Sequence, residues 1–263
     1  MEITFKDYEV SDKTISMTIK HNEFNGIYTD DYTKTIDILK LKNNSIGKIL
    51  INEKEINKQD INKYKKKINV VEDTLDRNYF QTKVYELIYY EIRRKELKLN
   101  NPQKKIIDSL RIVGLNIEVL LRNINTLSSS EKKLFQLALC LLSNPEVIII
   151  EDPFKEFDKK ETKRIFMLLQ KIKDRYNKTI VFISNDTNML YKYTNNLIIL
   201  KNNKVVIEGD TYTIINRVDF LKRHSIEVPD IVKLTYLAKK KKKVKIDYHK
   251  DIRDIIKDIY KHV

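Results

Sequence analysis

Apolar and polar positions alternate through residues 1–20, with Ile3 and Phe5 and then Ile15, Met17 and Ile19 on one side, which predicts two strands. Phe24 to Tyr28 reads as a strand running into a loop, and Ile36 to Leu41 as a short helix. A turn and a strand follow over Ile46 to Ile51, and another short apolar strand over Ile68 to Val71. The spacing from Lys83 to about Leu99 is helical, with Pro102 just beyond, and residues 104–122 continue in helical pieces broken at Gly114. Ser128, with Glu131 three residues on, forms a capping-box pattern that opens a helix reaching about Leu142.

Val147 to Ile150 is wholly apolar, as a central parallel strand requires, and Thr179 to Ser184 is a second such run. Between them Lys160 to Tyr176 is an amphipathic helix. Leu197 to Leu200 and Val205 to Glu208 read as a closing hairpin, and the remainder from Asp210 is mostly helical and basic. Helices alternating with buried parallel strands predict an α/β core.

Composition changes this picture in two places. Only 4 Gly, 4 Pro and no Trp stand in 263 residues rich in Lys, Ile and Asn, which fits an AT-rich coding sequence. The same bias feeds a formal net charge of +14, densest at Lys239–Lys243 with Lys245 beyond. Such a surface is either simply solvated or drawn to anionic lipid or nucleic acid. No aromatic stacking platform or nucleic-acid motif accompanies it, which argues against nucleic acid. The single cysteine, Cys140, lies in an apolar run and reads as a small core hydrophobe, so no disulfide framework is available. His21, His224, His249 and His262 lack metal-ligand spacing. No signal-peptide pattern or membrane-length apolar run is visible, and the expected compartment is cytosolic.

The chemistry-bearing stretch is Leu127 to Asp158. A polar turn opens a helix, the helix ends at Asn144–Pro145, and a β-branched run passes directly into Glu151, Asp152 and Pro153. With Ile183-Ser184-Asn185-Asp186, this order resembles the signature helix, Walker B strand and switch of ATP-binding-cassette (ABC) transporter ATPases. Within them the chain is most similar to the ATPase subunit of energy-coupling-factor transporters, which import vitamins and metal ions. Leu221 to Leu237 resembles the helical extension of that type. The resemblance implies a P-loop NTPase-like domain over residues 1–210, a helical subdomain inserted at about 73–143, and a basic helical extension over 211–263.

The phosphate loop departs from the family. Aligned on Lys34 and Thr35, Tyr28, Asp31 and Thr33 stand where the pattern carries glycines. Glycine lets the backbone turn its amides onto the phosphates, and other residues held in left-handed conformations there cost about 1–2 kcal/mol each. Asp30 and Asp31 also repel a polyanion, by about 4 kcal/mol per charge pair at 4 Å and an effective dielectric of 20. By resemblance Lys34 offsets part of that repulsion and Thr35 reaches Mg²⁺, unless the Lys-Thr pair is coincidence in a lysine-rich chain.

The carboxylates are interchanged. The family places Asp, the Mg²⁺ contact, before Glu, the general base; here Glu151 precedes Asp152. The resemblance therefore assigns Glu151 to Mg²⁺ and Asp152 as candidate base, displaced by about one bond length, and a misplacement of about 1 Å costs up to 100-fold in rate. Both could instead merely cap the strand end. Asn185 stands at the switch histidine and Asp73 or Glu72 near the family's glutamine, with Asp73 a further candidate Mg²⁺ contact.

The signature loop reads Leu127-Ser128-Ser129-Ser130-Glu131, and Asp158 resembles the D-loop aspartate. By resemblance Ser128, Ser129, Ser130 and Asp158 face ATP held by a partner subunit, though Ser128 as a plain N-cap stays open. The resemblance thus implies ATP and Mg²⁺ as cofactors, bound at a composite site. It implies a homo- or heterodimer of ABC ATPases joined to a transmembrane coupling subunit and a membrane-embedded substrate-binding subunit. The location implied is the cytoplasmic face of the cell membrane. The asymmetry of the changes favours a degenerate ATPase subunit whose own hydrolysis is impaired or partner-dependent. A slow MgATPase acting through Lys34, Thr35, Glu151 and Asp152, or a non-enzymatic basic scaffold, are the alternatives.

Overall fold

A computed structural model describes residues 1–10, 13–42, 47–57, 59–72, 82–242 and 247–261. Two sheets form the body. In the first, β1 (Ile3–Val10) lies between β2 (Lys13–Ile19) and β4 (Lys48–Ile51), and β5 (Lys54–Glu55) closes the edge. All its pairings are antiparallel. Asn52 and Glu53, with φ of 47° and 67°, make the tight β4–β5 turn, which needs two positive φ values to match strand twist.

The second sheet has six strands. It contains β3 (Phe24–Tyr28), β6 (Ile68–Val71), β7 (Val147–Glu151), β8 (Thr179–Ser184), β9 (Asn196–Lys201) and β10 (Lys204–Asp210), in the order β10-β9-β3-β8-β7-β6. Every pairing is parallel except the β9–β10 hairpin at the edge.

The apolar runs of the central strands are divided between two cores. On β7, Val147 and Ile149 face the first sheet, whereas Ile148 and Ile150 face the helices. On β8, Val181 and Ile183 take the first direction and Ile180 and Phe182 the second. Period-2 alternation with both faces buried is why these runs read as continuous rather than alternating.

Helices cover the second face: α3 (Val84–Arg94), α4 (Pro102–Val113), α5 (Ser129–Leu142) and α6 (Lys159–Tyr176). The helical pattern read from Lys83 to about Leu99 ends earlier, at Arg94, and Glu96 follows with φ of 50°. Pro102 opens α4 at its first turn, where its missing amide costs nothing, and Gly114 closes it with φ of 81°. Residues 117–121 and 124–126 are 3-10 turns. Helix α7 (Thr187–Tyr193) follows β8, and beyond Asp210 α8 (Thr211–Ile215), α9 (Val218–Arg223), α10 (Asp230–Lys242) and α11 (Ile252–Lys261) give the mostly helical character expected there.

Two short helices on the other side, α1 (Tyr32–Leu39) and α2 (Ile61–Lys65), follow β3 and β5. Helix α1 starts four residues before the expected Ile36, because Asp31 caps it. The architecture is the expected α/β one.

Ile149 is fully buried between the two sheets, whereas Leu121 is 73% exposed. Ile149→Ala is expected to lower the unfolding free energy by about 2–5 kcal/mol and Leu121→Ala by less than about 0.5 kcal/mol, checked by urea denaturation.

Candidate functional site

Strand register sets the geometry. Tyr28 at the end of β3 pairs with Ser184 at the end of β8, and Glu151 at the end of β7 pairs with Ile183. Three loops therefore leave neighbouring strands at one carboxyl edge: residues 29–31 into α1, 152–158 into α6, and 185–186 into α7. Open α/β sheets bind ligands at that edge.

The first loop folds tightly on itself. Thr29, 2% exposed, places its hydroxyl on the Asp31 carbonyl at 3.3 Å and accepts from the Asp31 amide at 3.1 Å. The Asp31 carboxylate accepts the Lys34 amide at 3.0 Å and caps α1. An N-cap carboxylate satisfies an otherwise orphaned helix donor and complements the helix dipole. Thr35, expected to reach Mg²⁺, is buried, with its hydroxyl 2.7 Å from the Asp31 carbonyl and 3.0 Å from the Thr29 hydroxyl. The Lys34 ammonium lies 3.6 Å from the Asp31 carboxylate and is half exposed.

No residue from Tyr28 to Thr35 adopts positive φ. The left-handed strain expected of a glycine-free cradle is thus avoided, because the chain passes from strand to helix by another route. Position 31 carries a helix cap where the pattern carries glycine.

Tyr32 joins the three loops. Its hydroxyl donates to Asp152 Oδ1 at 3.2 Å and accepts the Asn185 amide at 2.9 Å. Ser184, buried at the end of β8, donates to the same Asp152 oxygen at 2.6 Å and accepts the Asp186 amide at 3.1 Å. The Asp152 amide reaches the Ile183 carbonyl at 2.9 Å, and Asp152 turns the chain with φ of 37°. Burial, with the Asp152 charge beside it, pushes the Tyr32 phenol up to about 12. The hydroxyl is therefore a neutral donor throughout the physiological range. Both hydroxyl protons converge on Oδ1, leaving Oδ2 as the oxygen through which Asp152 could act on a water. The Asn185 side chain is exposed. A cleft of about 660 Å³ opens beside this network, lined by Asp152, Lys155, Asn185, Asn188, Lys192 and Tyr193 among others.

Lys133 is a site residue that the sequence reading passed over. It is 4% exposed, and its ammonium donates to the carbonyls of Glu151 at 2.5 Å and Glu72 at 3.2 Å. It fastens α5 to the end of β7. The available signal was its place four residues before Leu137, on the apolar face of α5. Asp73, the further candidate Mg²⁺ contact, lies outside the described residues. Among the described residues no group of three or more His, Cys, Asp and Glu is placed to hold a metal ion.

The start of α5 is arranged differently. Ser128 is the exposed N-cap: its hydroxyl accepts the Glu131 amide at 3.2 Å, and Glu131 returns a carboxylate to the Ser128 amide at 2.8 Å. The Ser130 hydroxyl lies 3.2 Å from that of Ser128. The Ser129 and Ser130 amides occupy the first two helical positions, where an α-helix supplies no acceptor. Arg122 meets Glu131 at 2.7 Å, and this contact, with the Ser128 amide, holds the carboxyl below its ordinary range. The charge of Glu131 is thus paired. Asp158 is likewise an exposed N-cap, accepting the Glu161 amide at 2.8 Å at the start of α6.

Residues 35–155 match the family model for ABC transporters. That match starts at Thr35, so Tyr28–Lys34 stand outside it, while Ser128, Glu151 and Asp152 stand within. The chain is 23% identical to the energy-coupling factor transporter ATP-binding protein EcfA2 of Acetivibrio thermocellus, over 87% of this chain and 82% of that protein. It is 21% identical to the EcfA2 protein of Staphylococcus epidermidis, over 87% of this chain and 83% of that one. Among solved structures it resembles CbiO1 of Clostridium perfringens, part of the ABC transporter complex CbiONQ. The TM-score is 0.69 at 21% identity, covering 89% of this chain and 98% of that one. A dimeric ATP-binding cassette bound to ADP and phosphate superposes with a TM-score of 0.63 at 19% identity, over 80% of this chain and 98% of that one. The fold is that of an ABC ATPase cassette.

The folded-state pKa of Glu131 is depressed, so its contribution to stability is complete above the unfolded value of about 4.3 and is lost as pH falls through the lower folded value. Wild type is expected to exceed Glu131→Gln in unfolding free energy at pH 6, with the gap closing as pH drops below about 4. Parallel urea titrations across that range check it.

Proposed function

We propose that this chain, an ATP-binding cassette by its fold, is an ATPase subunit of an energy-coupling-factor importer whose own nucleotide site is degenerate. It pairs with a second ABC ATPase and gives its signature helix to ATP held by that partner. One contrast carries the reading. The phosphate loop is closed by its own groups, Asp31 on the helix start and Tyr32 on Asp152 and the Asn185 amide. The start of α5 carries exposed Ser128 and Ser129, with the Ser129 and Ser130 amides at the first two helical positions and Glu131 paired with Arg122.

The residues of this chain do not fit a bound triphosphate in their present arrangement. A phosphate placed on the α1 amides would have to displace the Asp31 carboxylate and would meet Asp30 as well. Lys34 supplies one positive charge against both. Thr35, Glu151 and Asp73 are the groups left to meet Mg²⁺, and the Thr35 hydroxyl is already committed.

The start of α5 fits an anion better. Backbone amides at a helix start and a neutral hydroxyl are donors that need no counter-charge, and the helix dipole adds to them. In this assignment Ser128 donates to the γ-phosphate of the partner's ATP, the Ser129 and Ser130 amides support it, and Asp158 lies at the same interface. Asp152, lacking a bound nucleotide beside it, is retained as the anchor of the loop that carries Asp158. The partner supplies the intact phosphate loop, the base and the switch residue, with Mg²⁺ bound there.

Two EcfA2 proteins are among the relatives, and a related cassette is dimeric in its ADP and phosphate state. The dimeric cassette supports pairing with a second ATPase, and the relatives support a place in an energy-coupling-factor transporter, where the partners we assign are a transmembrane coupling subunit and a membrane-embedded substrate-binding subunit. Among the described residues no helix is long and apolar enough to cross a membrane, which is compatible with a peripheral position on the cytoplasmic face.

In the assembled transporter Ser128→Ala is expected to slow ATP hydrolysis by about 100- to 1,000-fold, as for loss of a transition-state hydrogen-bond donor. Lys34→Ala is expected to stay within about two-fold of wild type. A steady-state phosphate-release assay decides: the opposite ranking would show that this chain's own phosphate loop is the working one.

A further inference from the structure

We infer that Tyr32 is a built-in occupant of the nucleotide site, whose phenol holds the Asp152 and Asn185 loops together in the absence of nucleotide. The inference rests on the degenerate-subunit reading and adds to it a means by which an empty site stays ordered.

The three loops at the carboxyl edge of the sheet carry polar groups that face one another. In a site that works on a phosphate, the ligand and its water satisfy such groups when bound. Ser184 already bridges the Asp152 carboxylate and the Asp186 amide, so without that ligand the Asn185 amide and the remaining acceptor capacity of Asp152 would be left to water. Here one side chain answers both sides. The Tyr32 hydroxyl has one proton, which goes to Asp152 Oδ1, and a lone pair, which takes the Asn185 amide. It acts as a donor toward the carboxylate, as an attacking water would, and as an acceptor toward the switch loop, as a phosphate oxygen would.

Position matters as much as chemistry. Tyr32 is the first residue of α1, fixed by the Asp31 cap immediately before it. Its ring is half-buried and packs against the core between the two sheets. The hydroxyl is thus delivered from a rigid element. Asp152 is the first residue of the connection that ends at Asp158, so its anchorage restrains the base of that connection. Tyr32 is in this sense a positioning residue: it acts on the interface through Asp152 and touches no ligand itself.

Amide hydrogen exchange on the full-length chain, read residue by residue by NMR, tests this. In nucleotide-free protein, Tyr32→Phe keeps the ring and removes only the hydroxyl. It is expected to speed exchange of the Asn185 amide by about ten-fold. The Val181 amide within β8 reports folding and is expected to keep its wild-type rate. Equal Asn185 rates in wild type and Tyr32→Phe, with Val181 protected in both, would overturn the inference. Adding Mg²⁺ and a non-hydrolysable ATP analogue to wild type is expected to leave Asn185 exchange unchanged. New protection there would mean that nucleotide displaces the phenol, and would overturn the degenerate-site reading instead. The two arms therefore separate failure of the Tyr32 assignment from failure of the reading beneath it.

Discussion

A parallel sheet buried on both faces tolerates no slip of register. Moving β7 by one residue against β8 would send Val147 and Ile149 toward the helices and Ile148 and Ile150 toward the other sheet, exchanging that strand's contributions to two cores. The cost is carried by every buried side chain on the strand, each worth about 1.5–3 kcal/mol of burial. That constraint aligns Tyr28 with Ser184 and Glu151 with Ile183, and hence brings three loops to one edge. The site's position follows from apolar packing that has no chemistry of its own. It can therefore persist when the residues on the loops change.

What those loops do is governed by polar satisfaction. A glycine-rich cradle leaves amides pointing at empty space until a phosphate arrives. In this chain the same region has a carboxylate, a threonine pair and a phenol, each already hydrogen-bonded within the protein. Asp31 is instructive. Judged as a charge near phosphate, it is a repulsive defect; judged as a helix N-cap, it stabilises α1 by about 1 kcal/mol. A residue can be unfavourable for a ligand and favourable for the fold, and the folded chain realises the second role.

Much of the framework was legible from sequence. The continuous apolar runs of β7 and β8, the Ser128–Glu131 capping box and the closing hairpin are local patterns with local causes. The start of α1 was missed because Tyr28–Thr35 was read against a loop pattern, although Asp31 with the Lys34 amide three residues on is an ordinary helix start. The Tyr32 network was not legible. Its partners lie 120 and 153 residues away, and only strand order and register bring them together. Lys133 lies between these cases: its place on an apolar helix face was visible, but the carbonyls of Glu72 and Glu151 that justify burying it were not.

The two ends that could meet phosphate show how similar residues come to opposite fates. Both α1 and α5 begin with a side-chain cap, and both have a carboxylate nearby. At α5 the cap is a neutral hydroxyl and the carboxylate is three residues into the helix, folded back onto the Ser128 amide and paired with Arg122. The outward face keeps donors and little net charge. At α1 the carboxylate is itself the cap, with Asp30 exposed beside it and the half-exposed Lys34 opposing it. The outward face there is acidic. Reversing the two fates would require moving a charge across the helix start, which no adjustment of rotamer accomplishes. The difference between a helix end open to an anion and one closed to it is therefore written in the residue at the cap, serine in one and aspartate in the other.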